Sequence, residues 1–281
     1  MNPIKKHLNR LPKVLYKYRS FDSNDYGLNL LISGDAYFVS AKNFNDPFEA
    51  YFIPKSIILQ LDGEKLNNYL RRKVLMHFPD SKEENIQILI NKGLEQRRWL
   101  LEGDQKAMEA VLKIQYRNFG IFSLTPIPDS IPMWAYYSDS HEGFCVGLDT
   151  SIIAEHQLKL LPKDQLLILH KVNYQKNMPV CNVDVNPKGQ SDGELKELEL
   201  TLYTKSTSWR HEKEYRLLYY DHPATVYSFG KEAVTEVIIG INTCEKNKTQ
   251  LIERLTSDNP SVKIKQAKKS INSYEIELID I

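Results

Sequence analysis

The chain has little cysteine, and what it has is scattered: Cys145, Cys181 and Cys244 stand far apart in 281 residues. No CxxC pair and no Cys/His cluster at zinc spacing occurs, which argues against a disulfide framework and a structural zinc site. Reduced thiols, and with them a cytoplasmic location, are the expectation. Nowhere is there a run of about 18 apolar residues, so the sequence offers no membrane-crossing helix. The opening MNPIKKHLNRLPK is basic but lacks the apolar stretch of a secretion signal. An excess of one charge is missing too. Lys and Arg total 37 against 36 Asp and Glu, for a formal net charge of +1. No global field favours an anionic partner, although a local basic patch would leave nucleic-acid binding open. The P-loop and the dinucleotide glycine fingerprint are absent, which disfavours a nucleotide hydrolase and a Rossmann dehydrogenase. HExxH and comparable metal spacings are also absent, so no metal site is expected.

What is present is apolar and aromatic. Hydrophobic residues make up 42% of the chain, enough for a substantial core, and 16 tyrosines supply flat apolar faces with polar tips. Strand-like runs occur at Val14–Arg19, Asp35–Ala41, Gly120–Thr125, Gly143–Asp149, 169–174, Glu214–Tyr220 and Val234–Gly240, with two alternating strands, VKIKQ and YEIELIDI, at the end. Helical patterns fall at 24–33, Met133–Ser138, 191–207 and Thr249–Leu255. Between about 55 and 119 apolar residues recur at helical spacing, and Ser81-Lys82-Glu83-Glu84 has the form of a capping box. Asp46 before Pro47 reads as a helix entry. Repeats, low-complexity tracts and long linkers are absent. The expectation is an α+β fold in one domain over 1–281: a central, mostly antiparallel sheet with a helical insert at about 55–119.

Three groups of residues carry possible chemistry. In Trp209-Arg210-His211-Glu212-Lys213-Glu214-Tyr215-Arg216, an extended backbone would set Glu212, Glu214 and Arg216 on one face. Two carboxylates so placed lie about 6.6 Å apart and repel by roughly 2.5 kcal/mol. Arg216 offsets that repulsion, and Glu214 beside it is the one expected to stay ionised. In the stretch from Met133 to Gly143, a helix would align Trp134, Tyr137 and His141 as an aromatic wall ending in an imidazole. Around Tyr18 and Arg19, a guanidinium at a strand end suits capture of a phosphate or carboxylate. Asn45 and Asp46 are candidate ligands in a turn rich in Asn, Asp and Pro.

The order YKYR, YFVSAKNFNDPFE, FSLT, MWAYYSDSHEGFCVGLD and EKEYRLL resembles a bacterial family, domain of unknown function 2971, over about Leu15 to Ile241. The resemblance implies a bacterial cytosolic protein, often encoded among mobile or phage-defence genes. A weaker resemblance is to ADP-ribosyltransferase-like folds, through Arg19 on a first strand, Ser123 and Thr125 on a middle strand, and the E-x-E pair Glu212 and Glu214. It implies a toxin-type or phage-defence effector that takes NAD as co-substrate and acts on a macromolecular target. Catalytic roles would fall to Glu214, Glu212 and His141. Binding roles would fall to Arg19, Tyr18, Ser123, Thr125, Trp134, Tyr137, Asn45 and Asp46. Two other classes stay open. One is a hydrolase or nuclease, metal-dependent or metal-free, using Asp46, Glu49, His141 and Glu212; the other is a non-enzymatic sensor of a phage or host component.

Overall fold

The computed structural model describes residues 11–21, 25–96, 101–103, 106, 109, 119–160, 166–183 and 200–281. The fold is α+β. Its strands form two five-stranded sheets. The first runs, in spatial order, β1 (Val14–Arg19), β5 (Phe144–Asp149), β12 (Val234–Ile239), β13 (Lys263–Lys269) and β14 (Ile276–Asp280). The second runs β11 (Thr225–Ser228), β2 (Asp35–Ser40), β4 (Phe119–Leu124), β10 (Tyr215–Tyr220) and β6 (Leu167–Lys171). Every neighbouring pair in them is antiparallel except β12 with β13. Two short parallel ribbons complete the strands: β3 (Ile53–Ser56) with β8 (Val180–Val183), and β7 (Asn173–Gln175) with β9 (Thr204–Ser206).

Burial follows the strand pattern. β5 is buried from Phe144 to Leu148, as befits a strand covered on both faces. One apolar cluster takes Leu15, Phe144 and Val237 from the first sheet and Phe38, Phe122 and Leu217 from the second. Three helices add to it: α1 (Tyr26–Ser33) through Leu30, α5 (Thr150–Leu160) through Ile153, and α6 (Glu245–Asp258) through Leu251. A second cluster joins Tyr18, Cys145 and Ile238 to Met133 and Trp134 of α4 (Ile131–Tyr137). Helices α2 (Gly63–His77) and α3 (Glu83–Glu95) share a cluster of their own around Tyr69, Ile86 and Ile90. Among the described residues no helix is long and apolar enough to cross a membrane.

Several local expectations give way to the structure. The helix read at 191–207 lies outside the described residues up to 199; residues 200–202 are helical, and Thr204–Ser206 instead form β9. The segment Thr207–Glu212 is a 3₁₀ helix, and Lys213 is left-handed (φ 46°), so the extended run begins only at β10. Asp46-Pro47 opens a turn and no helix: Asp46 Oδ1 accepts from the Phe48 amide at 2.9 Å, and that local bond replaces a helical one. Helix α3 starts at Glu83 with Lys82 as its cap residue and no side-chain cap bond, so the Ser81 capping box does not form.

A tight approach ties β1 to the loop after α4. A Cβ on Gly143 would lie 2.0 Å from the Arg19 carbonyl oxygen and 2.8 Å from Ser138 Oγ. Both neighbours are held, since Ser138 Oγ donates to that same carbonyl at 3.3 Å. Gly143→Ala is therefore expected to cost about 2–3 kcal/mol, as overpacking does, read as a lower midpoint in urea unfolding.

Candidate functional site

Strands β1 and β4 belong to different sheets yet meet at one bridge. Tyr16 N–H donates to the Thr125 carbonyl at 2.7 Å, and Thr125 N–H to that of Tyr16 at 3.0 Å. Beside this stitch lies a cavity of about 260 Å³. Tyr16, Lys17 and Tyr18 line it from β1, and Ile121, Ser123 and Thr125 from β4 and its end. The residues Asn43, Phe44 and Asn45, Tyr137 of α4 and the acidic residues Glu212 and Glu214 complete the lining.

The acidic residues are set by backbone anchors. Thr125 Oγ1 donates to the Glu212 carbonyl at 2.6 Å, and the Glu214 amide donates to the Tyr174 hydroxyl at 2.8 Å. Between them the left-handed Lys213 turns its own side chain to solvent. Glu212, Glu214 and Arg216 are all buried. Lys205, on β9, reaches Glu212 Oε2 at 2.6 Å and Glu214 Oε2 at 3.3 Å. Its ammonium sits 4.9 Å above the Trp209 ring. Arg216 grips Glu214 through Nε at 2.8 Å and Nη2 at 3.1 Å, and Glu49 through Nη1 at 2.5 Å and Nη2 at 3.0 Å.

This network decides what each acid can do. A carboxylate has about four acceptor sites. Glu214 fills three of them with Arg216 and Lys205, and Ser123 adds to the fields that lower its pKa. Burial pushes that pKa up, but Arg216 and Lys205 outweigh it and hold Glu214 at about 2. Among the described residues the Glu212 carboxylate accepts two hydrogen bonds, from Lys205 on Oε2 and from the Tyr137 hydroxyl on Oε1 at 2.6 Å. Burial, then that bond, raises the Tyr137 pKa and keeps the phenol a donor. The bonded network formally holds three carboxylates against two cations. Lys17 stands outside it. Its Nζ donates to the Ser123 carbonyl at 2.9 Å and lies 4.9 Å from the Phe122 ring centre. Burial first, then Arg19, lowers its pKa to about 7.

The depressed Glu214 gives a pH signature. Its folded pKa lies below the unfolded value of about 4.3, so its stabilisation is present above pH 4.3 and is lost as pH falls toward 2. Urea titrations from pH 5 to pH 2.5 are expected to show that loss in the native protein and a much flatter profile in Glu214→Gln.

Of the residues singled out by sequence, the cavity brings together Tyr18, Ser123, Thr125, Tyr137, Asn45, Glu212 and Glu214. Trp134, His141, Arg19 and Asp46 do not line it. Trp134 is fully buried in the second cluster, with Nε1 donating to the Pro128 carbonyl at 2.9 Å. Helix α4 ends at Tyr137, and Asp139, Ser140 and His141 are all left-handed, which swings His141 back onto Trp134, ring centres 6.3 Å apart. Its pKa is lowered by burial and by Lys269. Arg19 follows Lys17 by two residues at the strand end and packs beside Gly27. Asp46 is held in its own turn. Sequence reasoning passed over Lys17, Lys205 and Tyr16. Lys17 carried a usable signal, as a lone lysine in an aromatic strand on the face shared with Leu15. Among the described residues no group of three His, Cys, Asp or Glu is placed to hold a metal ion.

A family described as Protein of unknown function (DUF2971) matches residues 133–217. The matched stretch carries Met133, Tyr137, Lys205, Glu212 and Glu214 of the cavity, and omits β1 and β4 with Lys17, Ser123 and Thr125. It is narrower than the resemblance read from Leu15 to Ile241. No curated protein and no solved structure matches the chain, so the comparisons supply no ADP-ribosyltransferase.

Proposed function

We propose that the cavity takes the cationic nicotinamide end of NAD⁺ and that the chain is an NAD-consuming enzyme cleaving the nicotinamide–ribose bond. One observation carries this reading: a carboxylate with open acceptor sites, Glu212, faces a cavity walled by Tyr16, Tyr18, Phe44 and Tyr137, over a network in which carboxylates outnumber cations. Aromatic faces and excess negative charge both favour a flat cation. When the glycosidic C–N bond breaks, its electron pair goes to the ring nitrogen and nicotinamide leaves neutral. Positive charge moves to the ribose carbon, where a fixed carboxylate stabilises it. Water or an acceptor hydroxyl then bonds to that carbon and gives up a proton. Glu214, held by Arg216 and Lys205, keeps the network in shape and Lys205 against Glu212.

The test is release of nicotinamide from NAD⁺ by the pure protein, followed by chromatography, with NADH in parallel. NADH has a neutral ring and is expected neither to be cleaved nor to compete well. NAD⁺ binding without release would turn the reading into that of a sensor. Absence of both binding and release would remove it.

A further inference from the structure

Lys17 differs from the two cations of the buried network beside the cavity. Lys205 and Arg216 are each bonded to two carboxylates. Lys17 makes no ion pair among the described residues; its ammonium has one backbone carbonyl and the Phe122 ring for company. The residue is partly exposed as a whole and lines the same cavity as Glu212 and Glu214. An ammonium held by one neutral carbonyl and a ring, with no carboxylate bonded to it, is poorly solvated, and loss of its proton is the remedy. Its pKa of about 7 agrees. At neutral pH roughly half of such lysines present a free amine, against about one in a thousand or fewer for an exposed lysine. An anion receptor is the other use for a cavity lysine, but Glu212 and Glu214 repel an anion from the same space.

We propose that Lys17 is a nucleophilic amine and that the cavity captures a small neutral carbonyl compound, an aldehyde or ketone, as an imine on Nζ. The Nζ lone pair bonds to the carbonyl carbon, and the carbonyl electron pair moves to oxygen, which takes up the proton shed by nitrogen. The carbinolamine then expels that oxygen as water while the C=N bond forms, so one water leaves and no oxidant or reductant is required. Glu212, with open acceptor sites, is the cavity group placed to carry the protons.

The probe is glycolaldehyde at pH 7 with cyanoborohydride, which reduces any imine to a stable secondary amine, followed by peptide mapping of the native chain. Lys17 is expected to be labelled at least tenfold faster than exposed lysines such as Lys42 and Lys246. Glyoxylate, the same aldehyde carried on an anion, is expected to lose most of that preference. Between pH 7 and pH 9 labelling of Lys17 should level off while that of the exposed lysines keeps rising. Lys17 unlabelled, or labelled no faster than the surface, overturns the proposal. The experiment needs no NAD⁺, so failure of nicotinamide release leaves its outcome untouched.

Discussion

Glu212→Gln is expected to lower nicotinamide release from NAD⁺ at least a hundredfold while leaving the melting temperature nearly in place. The amide keeps the shape of the acid. Its oxygen can still accept from Lys205, and its NH₂ can meet the Tyr137 hydroxyl, which rotates to accept. What it loses is the charge opposite the ribose carbon. Removing one preorganised stabiliser of transition-state charge typically costs a hundred- to a thousandfold, and a hundredfold corresponds to about 2.7 kcal/mol. Glu214→Gln is the control. It strips the shared anion from Arg216 and Lys205, so its effect should appear first in stability. A Glu214→Gln protein that melts normally yet releases no nicotinamide would exchange the two roles; a fully active Glu212→Gln protein would remove Glu212 from the chemistry.

The strands that frame the cavity were legible because their patterns are strong. Val14–Arg19 matches β1 residue for residue, and the buried runs of β5 and β12 read as strands from their apolar content. Less legible were elements whose form is set by partners. Thr204-Lys205-Ser206 has no strand signal of its own, and its ribbon forms against Asn173–Gln175. The charged run before it favoured a helix, and that reading hid Lys205. The E-x-E pair was found by spacing, although its first member sits on a 3₁₀ turn. A single left-handed residue, Lys213, keeps Glu212 and Glu214 on one side much as strand alternation would. His141 misled for the opposite reason. Helical spacing placed it with Tyr137, but three left-handed residues end that spacing before it arrives. Which acid is open and which is saturated depends on Glu49, far away in the sequence, and on Lys205, and no local pattern encodes that.

Arg216→Met is expected to destabilise the protein by roughly 3–5 kcal/mol, the usual result of removing one partner from a buried ion cluster. For a chain of this size that is a fall in melting temperature of roughly 5–9 °C. Arg216 is fully buried and holds five hydrogen bonds: two to Glu214, two to Glu49 and one, from Nη1, to the Leu202 carbonyl at 2.5 Å. Methionine fills much of the space but strips Glu49 and Glu214 of their shared cation and leaves Lys205 to serve Glu212 and Glu214. Glu49→Gln should cost less, because Arg216 keeps Glu214. If the cluster acts as a unit, the double variant Arg216→Met/Glu49→Gln is more stable than the two single losses added together, since the second change removes the charge that the first left stranded. Simple additivity in that cycle, measured by urea unfolding at pH 7, would mean that Glu49 and Arg216 do not stabilise each other. It would also leave the turn carrying Phe44 and Asn45 without its tie to the acidic side of the cavity.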